Sequence, residues 1–173
     1  MRKILVVIDM QKDFVDGSLG TPEAAGIVDA VVNEIGKYAP ENIYATRDTH
    51  PENYLETQEG RKLPVVHCVK GTPGWEINEK VAAALQGAEV IDKPTFGSLI
   101  LAEKLAALAE KEEIRVTLVG LCTDICVVSN ALLIKAYLPE IPVRVKADCC
   151  AGVTPASHEA ALTTMKMCQI EVL

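Results

Sequence analysis

Short runs of aliphatic residues punctuate this chain, and between them leucine, alanine and valine return every three or four positions. The run Lys3-Ile4-Leu5-Val6-Val7-Ile8-Asp9 is continuously apolar up to a terminal carboxylate, as expected of a parallel strand buried on both faces. Further strands are predicted at Asn42–Thr46, Glu89–Asp92, Ile114–Val119, Val143–Lys146 and Ile170–Leu173. Thr21-Pro22-Glu23 combines an N-cap, a proline at the first helical position and an acidic first turn, so a helix is expected from there to about Tyr38. Others are predicted over Asn78–Leu85, after the cap Ser98 through Leu101, Leu105 and Leu108, from Asp124 to about Tyr137, and from Thr154-Pro155 to about Met167. Between Arg47 and Trp75 periodicity is lost, and proline, glycine and histidine mark a loop longer than a connection requires.

Strands alternating with helices at this spacing imply right-handed βαβ units. The expected fold is therefore α/β: an open, doubly wound, six-stranded parallel sheet with helices on both faces. In that architecture ligands gather beyond the C-terminal strand ends, near the switch point. Asp9, Asp48, His50, Lys93 and Cys126 all fall there.

Length and composition narrow the picture. A chain of 173 residues with 49% hydrophobic content fits one globular domain spanning 1–173. The net charge of −7 argues against a nucleic-acid partner, and no stretch reaches the roughly 20 apolar residues of a membrane span. Met1-Arg2-Lys3 precedes an apolar run, but Asp9 interrupts it and no small-residue cleavage site follows, so a cytoplasmic protein is expected. The six cysteines lack C-x-x-C spacing and are read as reduced; Cys68, Cys149, Cys150 and Cys168 are taken as packing residues.

The chemistry concentrates in Val119-Gly120-Leu121-Cys122-Thr123-Asp124-Ile125-Cys126-Val127-Val128, where a β-branched run ends in glycine and helical periodicity begins. A cysteine in the first helical turn feels the positive end of the macrodipole, which lowers its pKa and favours thiolate. Cys126 is the better-placed nucleophile. Backbone N–H groups at the same turn can receive a developing oxyanion.

Five segments taken together resemble the isochorismatase-like cysteine hydrolases, and within them the nicotinamidase-like branch. They are Val7-Ile8-Asp9-Met10-Gln11-Lys12-Asp13-Phe14, Thr46-Arg47-Asp48-Thr49-His50, His67-Cys68-Val69-Lys70-Gly71-Thr72, Lys93-Pro94-Thr95-Phe96-Gly97-Ser98 and Gly120 to Val127. The resemblance implies a catalytic triad of Asp9, Lys93 and Cys126, an oxyanion hole from the backbone N–H groups of Cys122 and Cys126, and a cis peptide between Leu121 and Cys122. It further implies a divalent metal, zinc before iron or manganese, held by Asp48, His50 and His67, with Glu59 chosen over Glu56 as a fourth ligand by spacing. Phe14 matches the aromatic that stacks on the substrate ring, whereas the second ring expected before His67 is replaced by Leu63-Pro64-Val65-Val66.

The implied activity is metal-assisted hydrolysis of a small amide, nicotinamide first, through a thioester. N-carbamoyl amide hydrolysis is the nearest rival, and a thiol sensor built on Cys122 and Cys126 is the non-enzymatic one. The first strand is followed by Asp9-Met10-Gln11 rather than a Gly-x-Gly turn, which excludes a dinucleotide-binding fingerprint. The expected partners are a small-molecule amide and a second copy of the chain.

Overall fold

The computed structural model describes residues 1–173 and contains one six-stranded parallel sheet in the order β3-β2-β1-β4-β5-β6. The strands are β1 (Arg2–Ile8), β2 (Ile43–Asp48), β3 (Glu89–Lys93), β4 (Ile114–Leu121), β5 (Val143–Ala151) and β6 (Glu171–Val172). The chain builds outward from β1 through β2 to β3, then crosses back to pair β4 on the opposite side of β1. The topological switch point therefore lies between β1 and β4, and the C-terminal ends of these two strands frame a crevice.

Both faces of the sheet are covered, which is why β1 reads as an unbroken apolar run. Leu5 and Val7 face one core with Val28, Val31 and Ile35 of α3 (Val28–Ile35) and with Val81 of α5 (Glu79–Ala84). Ile4, Val6 and Ile8 face the other, packed on α6 (Leu99–Ala109), α7 (Val128–Tyr137) and α8 (Pro155–Met167). At Gly120 the two central strands approach so closely that a Cβ would collide with the Ile8 carbonyl, and the residue adopts φ +115°. Only glycine satisfies both conditions.

Several boundaries differ from the expectation. The helix predicted from Thr21 to Tyr38 is two pieces, α2 (Pro22–Gly26) and α3, meeting at Ile27, and neither reaches Tyr38. Between β1 and Thr21 the chain forms one short helix, α1 (Lys12–Val15), which buries Phe14. β5 runs five residues beyond Lys146: its polar middle sits where the register to β4 shifts between Leu118 and Gly120, and such an irregularity hides a strand from pattern reading. The long connection contains α4 (Gln58–Lys62) and short 3₁₀ turns at Tyr54–Glu56 and Pro73–Trp75. Finally, the helix after the cysteines opens with a π-turn, Thr123–Val127, before becoming α-helical.

Candidate active site

Three sequence-predicted residues meet in the crevice between β1 and β4. Asp9 follows β1 with φ +46°, and that turn swings its carboxylate under the neighbouring strands. Lys93 closes β3, and Cys126 lies in the π-turn after β4. Lys93 Nζ stands 2.7 Å from Asp9 Oδ2 and 3.4 Å from Cys126 Sγ, and it also donates to the Thr95 carbonyl at 3.2 Å. Thr46 Oγ1 donates to Asp9 Oδ1 at 2.6 Å. All three groups are buried, so the ammonium and carboxylate are each other's main compensation for lost water.

Burial also sets the protonation states. It pushes the Cys126 thiol well above its ordinary value, the Asp9 charge adds to that, and Lys93 only partly opposes. The expectation of a depressed thiol pKa is thus overturned: at this depth desolvation outweighs the helix terminus. Asp9 is likewise raised by burial, with Lys93 pulling it back down. Burial alone would discharge Lys93, but Asp9, Cys126 and Asp48 more than reverse this and keep it protonated. The resting thiol is neutral, with the protonated Lys93 beside it and Asp9.

The peptide between Leu121 and Cys122 is cis. The first bond spanning the π-turn runs from the Val127 amide to the Cys122 carbonyl at 3.0 Å. Cys126 therefore sits among the opening amides of a helix, which point toward the crevice end of β4.

A second cluster adjoins the first. The backbone folds the long connection back onto the end of β2: the His50 amide donates to the Cys68 carbonyl at 2.9 Å, and the His50 carbonyl accepts from Lys70 at 3.0 Å. This bridge places His67 beside His50 although sixteen residues intervene. One potential ligand atom from each of Asp48, His50 and His67 lies within 4.8 Å of the others, and all three residues are buried. Glu59 Oε1, from α4, is 3.8 Å from Nε2 of both histidines, whereas Glu56 accepts from Asn53 at the surface. Glu59 rather than Glu56 thus faces the cluster.

The donors fit a divalent cation. His50 Nε2 is sealed from solvent and has no hydrogen-bond partner, although Asp48 Oδ2 is 2.8 Å away. His67 holds the Val65 carbonyl with Nδ1 at 2.8 Å, which leaves Nε2 as a lone-pair donor turned toward Asp48. Asp9 and Asp48 share one ammonium, so a buried negative charge is left over that a cation among these ligands offsets.

Between the two clusters opens a cavity of about 260 Å³ whose wall includes Phe14, Leu63, His67, Phe96, Cys122 and Cys126. Phe14 and His67 have ring centroids 5.5 Å apart. Phe96, from the loop after β3, is a second phenyl ring in the cavity wall. Cys122 is half-buried, and desolvation raises its thiol to about 12.

Several supporting residues escaped the sequence reading. Gln11 pairs both amide atoms with the Asp48 backbone, at 2.8 and 2.7 Å, fixing the end of β2 beside Asp9. Tyr54, fully buried, packs against His50 and His67 with centroids 4.7 and 4.9 Å away. Asn130 ties the π-turn to the loop after Lys93, donating to the Cys126 and Phe96 carbonyls and accepting from the Ser98 amide. A polar residue at a helical core position, such as Asn130, was the available signal.

The isochorismatase domain model matches residues 3–173, and the chain belongs to that family. A pyrazinamidase of Pyrococcus horikoshii, solved in complex with zinc, is 31% identical over 100% of this chain and 99% of its own, with a TM-score of 0.81. The nicotinamidase/pyrazinamidase of Mycobacterium tuberculosis is 26% identical, covering 99% of this chain and 98% of its own length. A nicotinamidase of Schizosaccharomyces pombe is 26% identical over 98% and 91%. No helix is long and apolar enough to cross a membrane.

Proposed function

We propose that the protein hydrolyses a small uncharged aromatic amide, nicotinamide or a close analogue, to the carboxylate and ammonia, with Asp9, Lys93 and Cys126 as its catalytic residues. The observation that carries this reading is the placement of Lys93 Nζ, 2.7 Å from Asp9 and 3.4 Å from Sγ of Cys126, which lines the cavity beside the Asp48, His50 and His67 cluster.

In this mechanism the Asp9 carboxylate takes the Cys126 proton as the sulfur attacks the carboxamide carbon. The C=O π electrons move onto oxygen, and the backbone N–H groups of Cys122 and Cys126 receive that oxyanion. Collapse expels the amine, which leaves as ammonia with the proton held by Asp9, and a thioester remains. Water then adds to the thioester with Asp9 as base, and the carbon–sulfur bond breaks to return the thiol. Lys93 keeps Asp9 ionised in a buried site and holds it in place. Because the resting thiol is neutral, proton removal is coupled to attack.

Asp48, His50 and His67, with Glu59, would hold a zinc ion, which supplies a positive centre for a heteroaromatic ring nitrogen, directly or through water. Phe14 and Phe96 would flank the ring. The zinc-bound Pyrococcus relative supports this choice of metal. The cavity wall carries no lysine or arginine, so a carboxylate-bearing N-carbamoyl substrate finds no basic side chain there.

The test is ammonia release from nicotinamide, pyrazinamide, benzamide and an N-carbamoyl amine by the zinc-loaded protein. Nicotinamide and pyrazinamide should lead. Benzamide equalling nicotinamide, or the carbamoyl compound winning, would sink the substrate assignment.

A further inference from the structure

The N-terminal end of the sheet carries an unexplained basic concavity. Its volume is about 560 Å³, and its wall includes Arg2, Lys3, Lys37, Arg115, Arg144 and Lys146, in a chain whose net charge is −7. The register makes the concentration sharper. Lys3 of β1 lies directly beside Arg115 of β4, and Thr117, two residues along the same face, lies beside Arg144 of β5. Like charges opposed across strands are destabilising unless something neutralises them.

Most of these cations have a carboxylate. Arg2 pairs with Glu112 at 3.0 Å, Lys37 with Glu34 at 2.7 Å, Arg144 with Glu171 at 2.7 Å and Lys146 with Asp148 at 2.6 Å. Arg115 has none: its Nε is sealed from water and finds no acceptor, although the residue is only half-buried and its guanidinium edge opens into the concavity. A planar fork of donors without an acceptor, flanked by Lys3 and Arg144, matches the oxygens of a phosphoryl group.

We propose that this concavity is a binding site for a phosphate-bearing small molecule, with Arg115 as the fork that holds the phosphoryl group and Lys3 as a second positive contact. The volume exceeds what one phosphate fills and lies in the range of small-molecule sites, about 300–1,000 Å³, so a phosphate ester fits better than the free ion. Arg115 is the second residue of β4 and Cys122 follows its end, a separation of about 23 Å at the usual rise of a strand, so the site is remote from the amide-hydrolysing cavity.

The experiment titrates the full-length protein with inorganic phosphate, pyrophosphate and AMP at low salt, by calorimetry and thermal melting, while amide hydrolysis is followed in the same samples. AMP should bind and raise the melting temperature without competing with the amide. Arg115→Gln should weaken binding by about tenfold or more, Arg115→Lys by less, and Lys3→Gln severalfold, all with amide turnover unchanged. Without added anion, Arg115→Gln should melt higher than the parent, because a like-charge pair is removed. Tighter binding of AMP than of phosphate assigns a phosphate ester, and equal affinity assigns the free ion. The proposal is overturned if none of the three anions binds, if Arg115→Gln and Lys3→Gln bind as the parent does, or if the anion competes with the amide.

Discussion

Lys93 Nζ lies 3.5 Å from Asp48 Oδ1, so a single ammonium links the carboxylate beside the thiol to the carboxylate of the candidate metal cluster. The two halves of the site are one electrostatic unit, with two buried acids on one buried base. Removing the base should therefore be felt first as instability. Lys93→Met leaves Asp9 without a counter-charge and should cost about 3–5 kcal/mol in denaturant unfolding, with part of the loss recovered in Asp9→Asn/Lys93→Met. A loss below 1 kcal/mol would show that the pair is hydrated rather than buried.

Cys126→Ala should reduce ammonia release by about 10⁴-fold or more, with unfolding free energy within about 1 kcal/mol of the parent, since one buried sulfur leaves a small void. In the proposed mechanism Cys122 contributes its backbone rather than its thiol, so Cys122→Ala should keep most of the activity. The reverse ranking of the two variants would exchange their roles, and a reversible loss of activity on oxidation through Cys122 would favour the thiol sensor.

Asp9→Asn keeps the shape and removes the base, for an expected loss of about 10²–10⁴-fold. The acid limb of kcat/KM should lie above the ordinary carboxylate value of 3.8, because burial raises Asp9 while Lys93 opposes. A group with a raised folded-state pKa contributes stability below its unfolded value and loses it as pH rises through the folded one. Asp9 therefore does not drive acid unfolding, and circular dichroism should hold steady across the pH interval in which activity falls. Coincident loss of both signals would assign that limb to unfolding.

Elemental analysis should find about one divalent ion per chain, removable by chelator, and His67→Ala should abolish it. Glu59 is partly solvent-exposed, so Glu59→Gln should weaken retention by only about tenfold. Stoichiometric metal in His67→Ala would place the ion elsewhere.

Where the sequence was readable, burial on both sides made it so. β1 and β4 carry continuous aliphatic runs because helices cover both faces, and their ends fall within two residues of the expectation. Asp9, Lys93 and Cys126 were visible because each lies just beyond the end of a predicted strand, and the resemblance supplied their roles. What escaped depends on contacts between distant segments. Gly26 was the one local sign of the helix break at Ile27, and nothing around Thr46 tells that its hydroxyl serves Asp9. The protonation state of Cys126 was misread for the same reason: its position in a helix is a local property, whereas its burial is a global one.

The main-chain bridge between His50 and Cys68 separates what the connection after β2 must keep from what it is free to change. Main-chain pairing makes no demand on side-chain identity, so between residues 51 and 66 the side chains that answer to the two histidines are Tyr54 and Glu59, with the Val65 carbonyl holding His67. The remaining exposed positions of that stretch are free to vary while Asp48, His50 and His67 stay together. The replacement of a ring by Leu63-Pro64-Val65-Val66 falls within that stretch, and there Leu63 forms part of the cavity wall. Substrate preference can thus drift among descendants of this chain through one segment, with the chemistry beneath it left untouched.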